Sequence, residues 1–154
     1  MKNKTLGIIS LLLMPLAANV QASDEVKHIP GIFIGATHFD SETEITFGLE
    51  YEYKIDHQWG VGAVYEKTSE AHHGEGVSVS LISAFYHPNN NVRLGLGLGQ
   101  ERVGGYHPHT ENLYRVSAGY DFHVERFGIA PTVAVDFVDG EEALVFGVAF
   151  TRPF

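Results

Sequence analysis

The stretch from Glu141 to Phe154 reads EEALVFGVAFTRPF. Leu144, Phe146, Val148 and Phe150 alternate with Ala143, Val145, Gly147, Ala149 and Thr151, a period of two held without a slip. Large apolar residues on one side and small ones on the other suit a wall with lipid outside and a crowded or wet interior. Arg152 departs from this pattern close to the terminal aromatic Phe154.

The same period runs through most of the chain, and no helical period competes with it. Ile45, Phe47, Leu49, Tyr51, Tyr53 and Ile55 alternate with Thr46, Gly48, Glu50, Glu52 and Lys54. Trp59, Val61, Ala63 and Tyr65 resume the pattern, followed by Val77, Val79, Leu81, Ser83 and Phe85, which are assigned to the same lipid face. After the turn at Pro88-Asn89-Asn90-Asn91 come Val92, Leu94, Leu96 and Leu98, then Tyr114, Val116, Ala118, Tyr120 and Phe122. A tight turn around Glu125-Arg126 leads to a seventh strand carrying Phe127, Ile129, Pro131, Val133, Val135 and Phe137. Pro131 removes a ladder donor and predicts a bulge there. With a first strand near Gly31 to Phe39, whose facing is open between Ile32/Ile34 and Phe33/Phe39, the strand count is eight.

The other end of the sequence reads as a secretory signal. Lys2 and Lys4 precede the apolar run Leu6 to Ala18, and Val20-Gln21-Ala22 before Ser23 forms a small-residue cleavage site. The apolar run is shorter than the roughly 20 residues a membrane helix needs. Residues 1–22 are therefore expected to be removed, leaving residues 23–154 as one domain. The full chain has 10 basic and 19 acidic residues, and loss of Lys2 and Lys4 leaves 8 against 19, a net charge of −11 with histidine neutral. So acidic a chain is a poor partner for nucleic acid. It contains no cysteine, which says nothing of redox chemistry and permits a periplasmic route.

Connection lengths orient the strands. The links after the second, fourth and sixth strands are short, whereas those near Thr68 to Gly76 and Arg102 to Asn112 are long, as in barrels with short periplasmic turns and longer external loops. Under this orientation Tyr53, Trp59, Phe85, Phe122, Phe127 and Phe154 fall at the periplasmic end of the lipid face, and Phe47, Tyr65, Tyr114, Phe137 and Phe146 at the external end. Two aromatic belts enclosing a Val, Leu and Ala band suit a membrane wall. A soluble sandwich or lipocalin-type barrel would turn its apolar face inward.

In strand count, patterning and C-terminal strand, the chain resembles the small eight-stranded OmpA/OmpX-type barrels of Gram-negative outer membranes. The resemblance spans the mature sequence and implies a closed, all-β, antiparallel up-and-down barrel in the porin-like outer-membrane group. It further implies that Phe150 and Phe154 belong to a signal read by the barrel-assembly machinery, and that outer-membrane lipid and lipopolysaccharide are partners.

The interior positions distinguish a plug from a pore. Glu50, Glu52, Lys54, Glu66, Arg93, Arg115, Asp121 and Asp136 fall on the inward face of a lumen only wide enough for side chains. Charges there must pair or retain water. The expected network joins Arg93 and Asp121 with Glu50 and Glu52 at one end, and Arg115 and Asp136 with Glu66 at the other. The alternative is a narrow cation path favoured by inward glycines and an excess of acids.

Histidines carry the remaining hint of chemistry. His72 and His73, with Glu70 and Glu75, fall in one long loop; His107 and His109, with Glu111, fall in the next. Imidazole and carboxylate suit zinc or copper, although neither His-His nor His-Pro-His is a metal-binding spacing. His28, His38, His57 and His87 sit near strand ends and read as polar interfacial residues. External acids including Asp40, Glu42, Glu44, Asp139, Glu141 and Glu142 suit divalent cations that bridge lipopolysaccharide. No catalytic residue is assigned: a lipid A-modifying acyl hydrolase or transferase would need a nucleophile, and Ser83, the one serine assigned to the lipid face, has no histidine and carboxylate to complete a triad.

Overall fold

The computed structural model describes residues 25–69 and 76–154. The expected signal segment, residues 1–22, and His72 and His73 lie outside the described residues. The strands are β1 (His28–Phe39), β2 (Glu42–Lys54), β3 (Trp59–Thr68), β4 (Val77–Tyr86), β5 (Val92–Val103), β6 (His109–Tyr120), β7 (Phe122–Val124), β8 (Phe127–Val138) and β9 (Glu141–Thr151). All neighbours pair antiparallel, and β1 pairs with β9 from Gly31 opposite Thr151 to His38 opposite Leu144, closing the sheet. The structure is thus a closed eight-stranded barrel in which β6 and β7 together form one wall position.

The break between β6 and β7 falls at Asp121, whose N–H donates to the Asn91 carbonyl at 2.6 Å while Asn91 Nδ2 donates back to the Asp121 carbonyl at 2.9 Å. Gly119 faces Thr132 and Phe122 faces Ile129, so the register against β8 is the same on both sides of the break. Pro131 pairs one-to-one with Val148 on β9. The bulge predicted in β8 is therefore absent; the interruption lies in the neighbouring chain, opposite the proline's position.

Two hairpins at one end of the barrel use two-residue turns. Asp40 and Ser41 have φ of 47° and 66°, and Asp139 and Gly140 have φ of 49° and 78°, the left-handed pairs that match the twist of antiparallel strands. The same end carries the segment joining β3 to β4 and is called the loop end. The termini end carries His28, Phe154 and the β2–β3, β4–β5 and β7–β8 turns. The β5–β6 connection is shorter than the long loop read from the sequence, because the strands stay paired out to Val103 opposite His109.

The wall is inverted relative to a water-soluble protein. Leu96 is 66% and Ile82 65% exposed on the outer surface, while Glu52, Glu66, Arg93, Arg115 and Asp136 are buried within. Tyr53, Trp59, Phe122, Phe127 and Phe154 ring the outside at the termini end; Phe47, Tyr65, Tyr114, Phe137 and Phe146 ring it at the loop end. β1 resolves with Ile32 and Ile34 outward and Phe33 inside.

β4 faces the opposite way from the sequence assignment. Val77, Val79, Leu81 and Phe85 are buried in the lumen, and Ser80, Ile82 and Ala84 lie outside. The reason is volume. The inward faces of the flanking strands are Gly60 and Gly62 on β3 and Gly95, Gly97 and Gly99 on β5, leaving a trough that large β4 side chains fill. A methyl group at Gly62 would lie 3.1 Å from Phe85 Cε2, and one at Gly95 3.3 Å from Phe85 Cδ1. Phe33 fills the facing gap in the same manner, its Cζ 2.6 Å from the Cβ position of Gly35 and 2.7 Å from that of Gly147. Phe85 therefore belongs to the lumen filling, not to the aromatic belt. Ser83, paired with Gly62 and Gly97, is likewise removed from the lipid face, and with it the sole nucleophile suggested for an acyl-modifying enzyme.

Candidate functional site

The lumen holds charged and apolar groups side by side: Glu66 on β3 is directly opposite Val79 on β4. Nearest the loop end, Val77, Val79, Leu81, Val103, Leu113 and Val138 form one buried apolar cluster. Phe33, Ala130, Ala134, Val145 and Ala149 form a second.

The best-defined polar element is a clamp around Arg115. Register places Arg115 on β6 directly opposite Asp136 on β8, and the guanidinium donates from Nε to Oδ1 at 2.6 Å and from an Nη to Oδ2 at 2.7 Å. Its two Nη atoms also donate to the carboxylate oxygens of Glu66 on β3, at 2.7 and 2.6 Å. Only the planar fork of arginine can serve two carboxylates in this way. The arrangement cross-braces the barrel and carries two negative charges against one positive.

A second network lies at the termini end. Arg93 donates to Glu50 at 3.0 Å and stands 3.8 Å from a Glu52 oxygen, with its guanidinium 5.2 Å above the Phe85 ring. Glu52, only 2% exposed, accepts a 2.6 Å bond from His87 Nε2. Its other oxygen, Oε2, has no hydrogen-bond partner among the described residues. Asp121 does not join Arg93 in an ion pair; it lines the same small cavity of about 30 Å³ through which Lys54 and His123 also face the network.

His87 is the member the sequence reading missed. Rather than resting at an interface, it is buried against Glu52, held by a backbone bond from its own N–H to the Gln58 carbonyl at 2.7 Å. Its partner is remote in sequence, so no local signal marks it. His28 does sit at the rim: Nδ1 is 2.7 Å from the Tyr51 hydroxyl, and its ring stacks on Phe154 at 5.4 Å. His38 bonds Thr43 at 2.7 Å at the opposite rim, and His57 is exposed in the β2–β3 turn.

The loop-end mouth is a cavity of about 120 Å³ with an acidic wall that includes Glu42, Glu44, Glu101, Glu111, Asp139 and Glu141. Thr37, Thr46 and Thr68 hydroxyls, linked at 2.7 and 2.8 Å through Thr46, connect three strands just inside it. His109 is on the cavity wall and its Nδ1 bonds the His107 carbonyl at 3.0 Å; the His107 side chain lies outside the cavity. Among the described residues, no cluster of three or more histidine, cysteine or acidic side chains has metal-binding geometry.

Phe150 and Phe154 both face outward. Phe154 is tied to the first strand through its backbone, donating to the His28 carbonyl at 2.9 Å and accepting from the His28 N–H at 2.8 Å.

No protein-family model and no curated protein matches the chain. Solved structures do. The N-terminal β-barrel domain of Pseudomonas aeruginosa OprF is similar with a TM-score of 0.67 at 12% identity, covering 84% of this chain and 100% of that one. Neisserial surface protein A gives 0.60 at 10% identity over 82% and 96% of the two chains. Ail, the attachment invasion locus protein of Yersinia pestis, gives 0.59 at 16% identity over 84% and 99%. The fold is therefore that of the small eight-stranded outer-membrane barrels.

Proposed function

We propose that this chain is an integral outer-membrane barrel whose lumen is closed, acting as a structural element and as a surface that engages its surroundings through the loop end. The carrying observation is the filled interior: Phe33 and Phe85 seated on glycines, with the Arg115 clamp and the Arg93 network spanning the lumen above and below. An eight-stranded barrel has no spare width for a water path past such groups. The inverted wall and its two aromatic belts support the membrane placement. The loop end is taken as external, with the signal segment directing export and the assembly machinery receiving the C-terminal strand.

At the mouth, the acidic wall suits divalent cations, including those that bridge lipopolysaccharide. Planar-bilayer recording tests the closed state: purified protein should give no steady cation conductance at neutral pH. Regular open channels at wild-type sequence would overturn it in favour of the narrow cation path. Membrane fractionation of the expressed full chain tests the location.

A second reading is supported by His109 standing on the acidic mouth wall. Together with the loop histidines His72 and His73 it would give the mouth affinity for zinc or copper, with His107 contributing the carbonyl that holds the His109 ring. Titration of zinc into detergent-solubilised protein should then saturate in the micromolar range and weaken in His109→Ala. Binding indifferent to the histidines would remove this reading.

A further inference from the structure

On the outer wall at the loop end, strand register aligns four polar residues in one row. Lys67 on β3 is opposite Ser78 on β4, Ser78 is opposite Arg102 on β5, and Arg102 is opposite Thr110 on β6. All point outward, because their chain neighbours Glu66, Thr68, Val77, Val79 and Val103 are buried inside. Directly opposed residues on one sheet face are neighbours, and strands lie about 4.8 Å apart, so Lys67 and Arg102 flank Ser78 at roughly 10 Å from each other.

The rows beneath change character in steps. The next outward row toward the membrane centre is Tyr65, Ser80, Gln100 and Asn112, followed by Ala63, Ile82, Leu98 and Tyr114. Cations come first, then neutral hydroxyls and amides, then hydrocarbon. This order runs across the four strands β3 to β6. Beyond β3 the row meets Phe47 on β2, which the register places opposite Lys67, so the polar order belongs to β3 to β6.

The two cations are conspicuous by where the others lie. Arg93 and Arg115 are in the lumen, and Lys27, Lys54, Arg126 and Arg152 are at the termini end. Lys67 and Arg102 are thus the basic residues of the loop end's outer surface among the described residues, and neither forms an ion pair with another described residue. On an end dominated by carboxylates, two outward cations with no ion-pair partner among the described residues suit an anion from the lipid.

We infer that this wall binds a phosphorylated glycolipid of the outer leaflet, with Lys67, Ser78, Arg102 and Thr110 holding phosphate, Ser80, Gln100 and Asn112 meeting the sugar, and Ile82 and Leu98 receiving acyl chain. Phosphate suits the cation and hydroxyl row. The neutral row beneath is what separates a saccharide headgroup from a glycerol one. The inference rests on the loop end being external, yet its binding test does not depend on cellular location.

Native mass spectrometry of the full-length mature barrel released from nanodiscs, with diphosphoryl lipid A or phosphatidylglycerol as probe, tests the assignment. Each cation near an anionic lipid surface contributes roughly a fivefold factor. Lipid A binding should therefore fall at least about tenfold in K67E/R102E and stay unchanged in R152E, whose cation lies at the termini end. Removing both lipid A phosphates should weaken binding to the wild type and leave K67E/R102E unaffected. A heat-shifted gel band confirms that each variant is folded; if the double charge reversal fails to fold, K67Q/R102Q serves in its place. Equal binding by wild type and the double variant, equal loss in R152E, or equal affinity for phosphatidylglycerol would overturn the proposal. Failure of membrane fractionation with intact lipid A selectivity would instead overturn the location alone.

Discussion

Arg115 and Glu66 are joined across the lumen by two parallel hydrogen bonds of 2.7 and 2.6 Å, although β4 and β5 separate their strands in the sheet. Arg115 also holds Asp136, so its removal strands two buried carboxylates at once. Breaking a buried ion pair from one side costs about 3–5 kcal/mol, whereas replacing all partners with apolar groups is often neutral. Arg115→Ala should lower the urea midpoint in lipid vesicles accordingly, and should raise cation conductance by leaving a negatively lined gap. The triple variant Arg115→Met, Glu66→Leu, Asp136→Leu should recover most of the stability without conducting.

The reversed facing of β4 can be checked without background, because the chain has no cysteine. Single cysteines at Ile82 and Ala84 should react with a lipid-phase maleimide, and those at Leu81 and Ser83 should not. Ile82→Arg should destabilise the barrel by about 2–4 kcal/mol if it lies near the bilayer midplane. Labelling of Leu81 in preference to Ile82 would show the strand turned the other way.

Phe85→Ala should cost about 3–5 kcal/mol, the range for deleting a packed aromatic, because its ring fills the trough over Gly62 and Gly95. Phe122→Ala, on the lipid side, should cost clearly less. Filling the trough from the other side offers a compensating pair: Gly95→Ala is poorly tolerated alone, its new Cβ meeting the Ser117 hydroxyl first and the Phe85 ring next, and better tolerated with Ser117→Ala. Denaturation midpoints of the four proteins decide this.

In the β2–β3 turn, Asp56 accepts backbone bonds from Gln58 at 2.7 Å and Trp59 at 2.8 Å. These donors, Gln58 first and then Trp59, hold its carboxyl below the ordinary aspartate value of 3.8. A folded value below the unfolded one means the turn's stabilisation is present above pH 3.8 and is lost as pH falls through the lower, folded value. Carboxyl carbon shifts followed by NMR should titrate at Asp56 below 3.8, and Asp56→Asn should abolish the acid-dependent change in the Trp59 amide. A midpoint at or above 3.8 would refute the turn's role.

Deletion of Phe154 should impair assembly more than loss of its packing explains. Its ring is half-exposed and stacks on His28, and full burial of a phenylalanine contributes only about 1.5–3 kcal/mol. If the residue is part of an insertion signal, the truncated protein should fold in detergent yet be depleted from the outer membrane. Wild-type membrane levels would leave Phe154 as a lipid contact.

Strand number and most facings were legible because a barrel wall repeats one constraint, lipid on one side, at every second residue; Ile45 to Ile55 shows it in a single segment. β4 was not legible from its own residues. Its alternation is clear, but which face turns inward depends on glycines in β3 and β5 that set the room available. The Arg115 and Asp136 pair follows from neighbouring strands, whereas the His87 and Glu52 contact needs the barrel's curvature to bring a turn residue over the lumen. The two polar rows of the outer wall were hidden for the same reason as β4: Ser78 and Ser80, one in each row, read as lumen residues until their neighbours fixed them outside.

The seam between β1 and β9 joins Gly31 to Thr151 and His38 to Leu144, near opposite ends of the sequence. Every other neighbouring pair can form by local zippering, but this one needs nearly the whole chain to loop back on itself, and the entropy of that closure must be overcome before either edge is satisfied. Until then β1 and β9 are two open edges with unpaired amides in a setting that tolerates none. Insertion should therefore be all-or-none and rate-limited by the last strand: a chain halted one strand short has no partial barrel to fall back on, only an aggregation-prone ribbon.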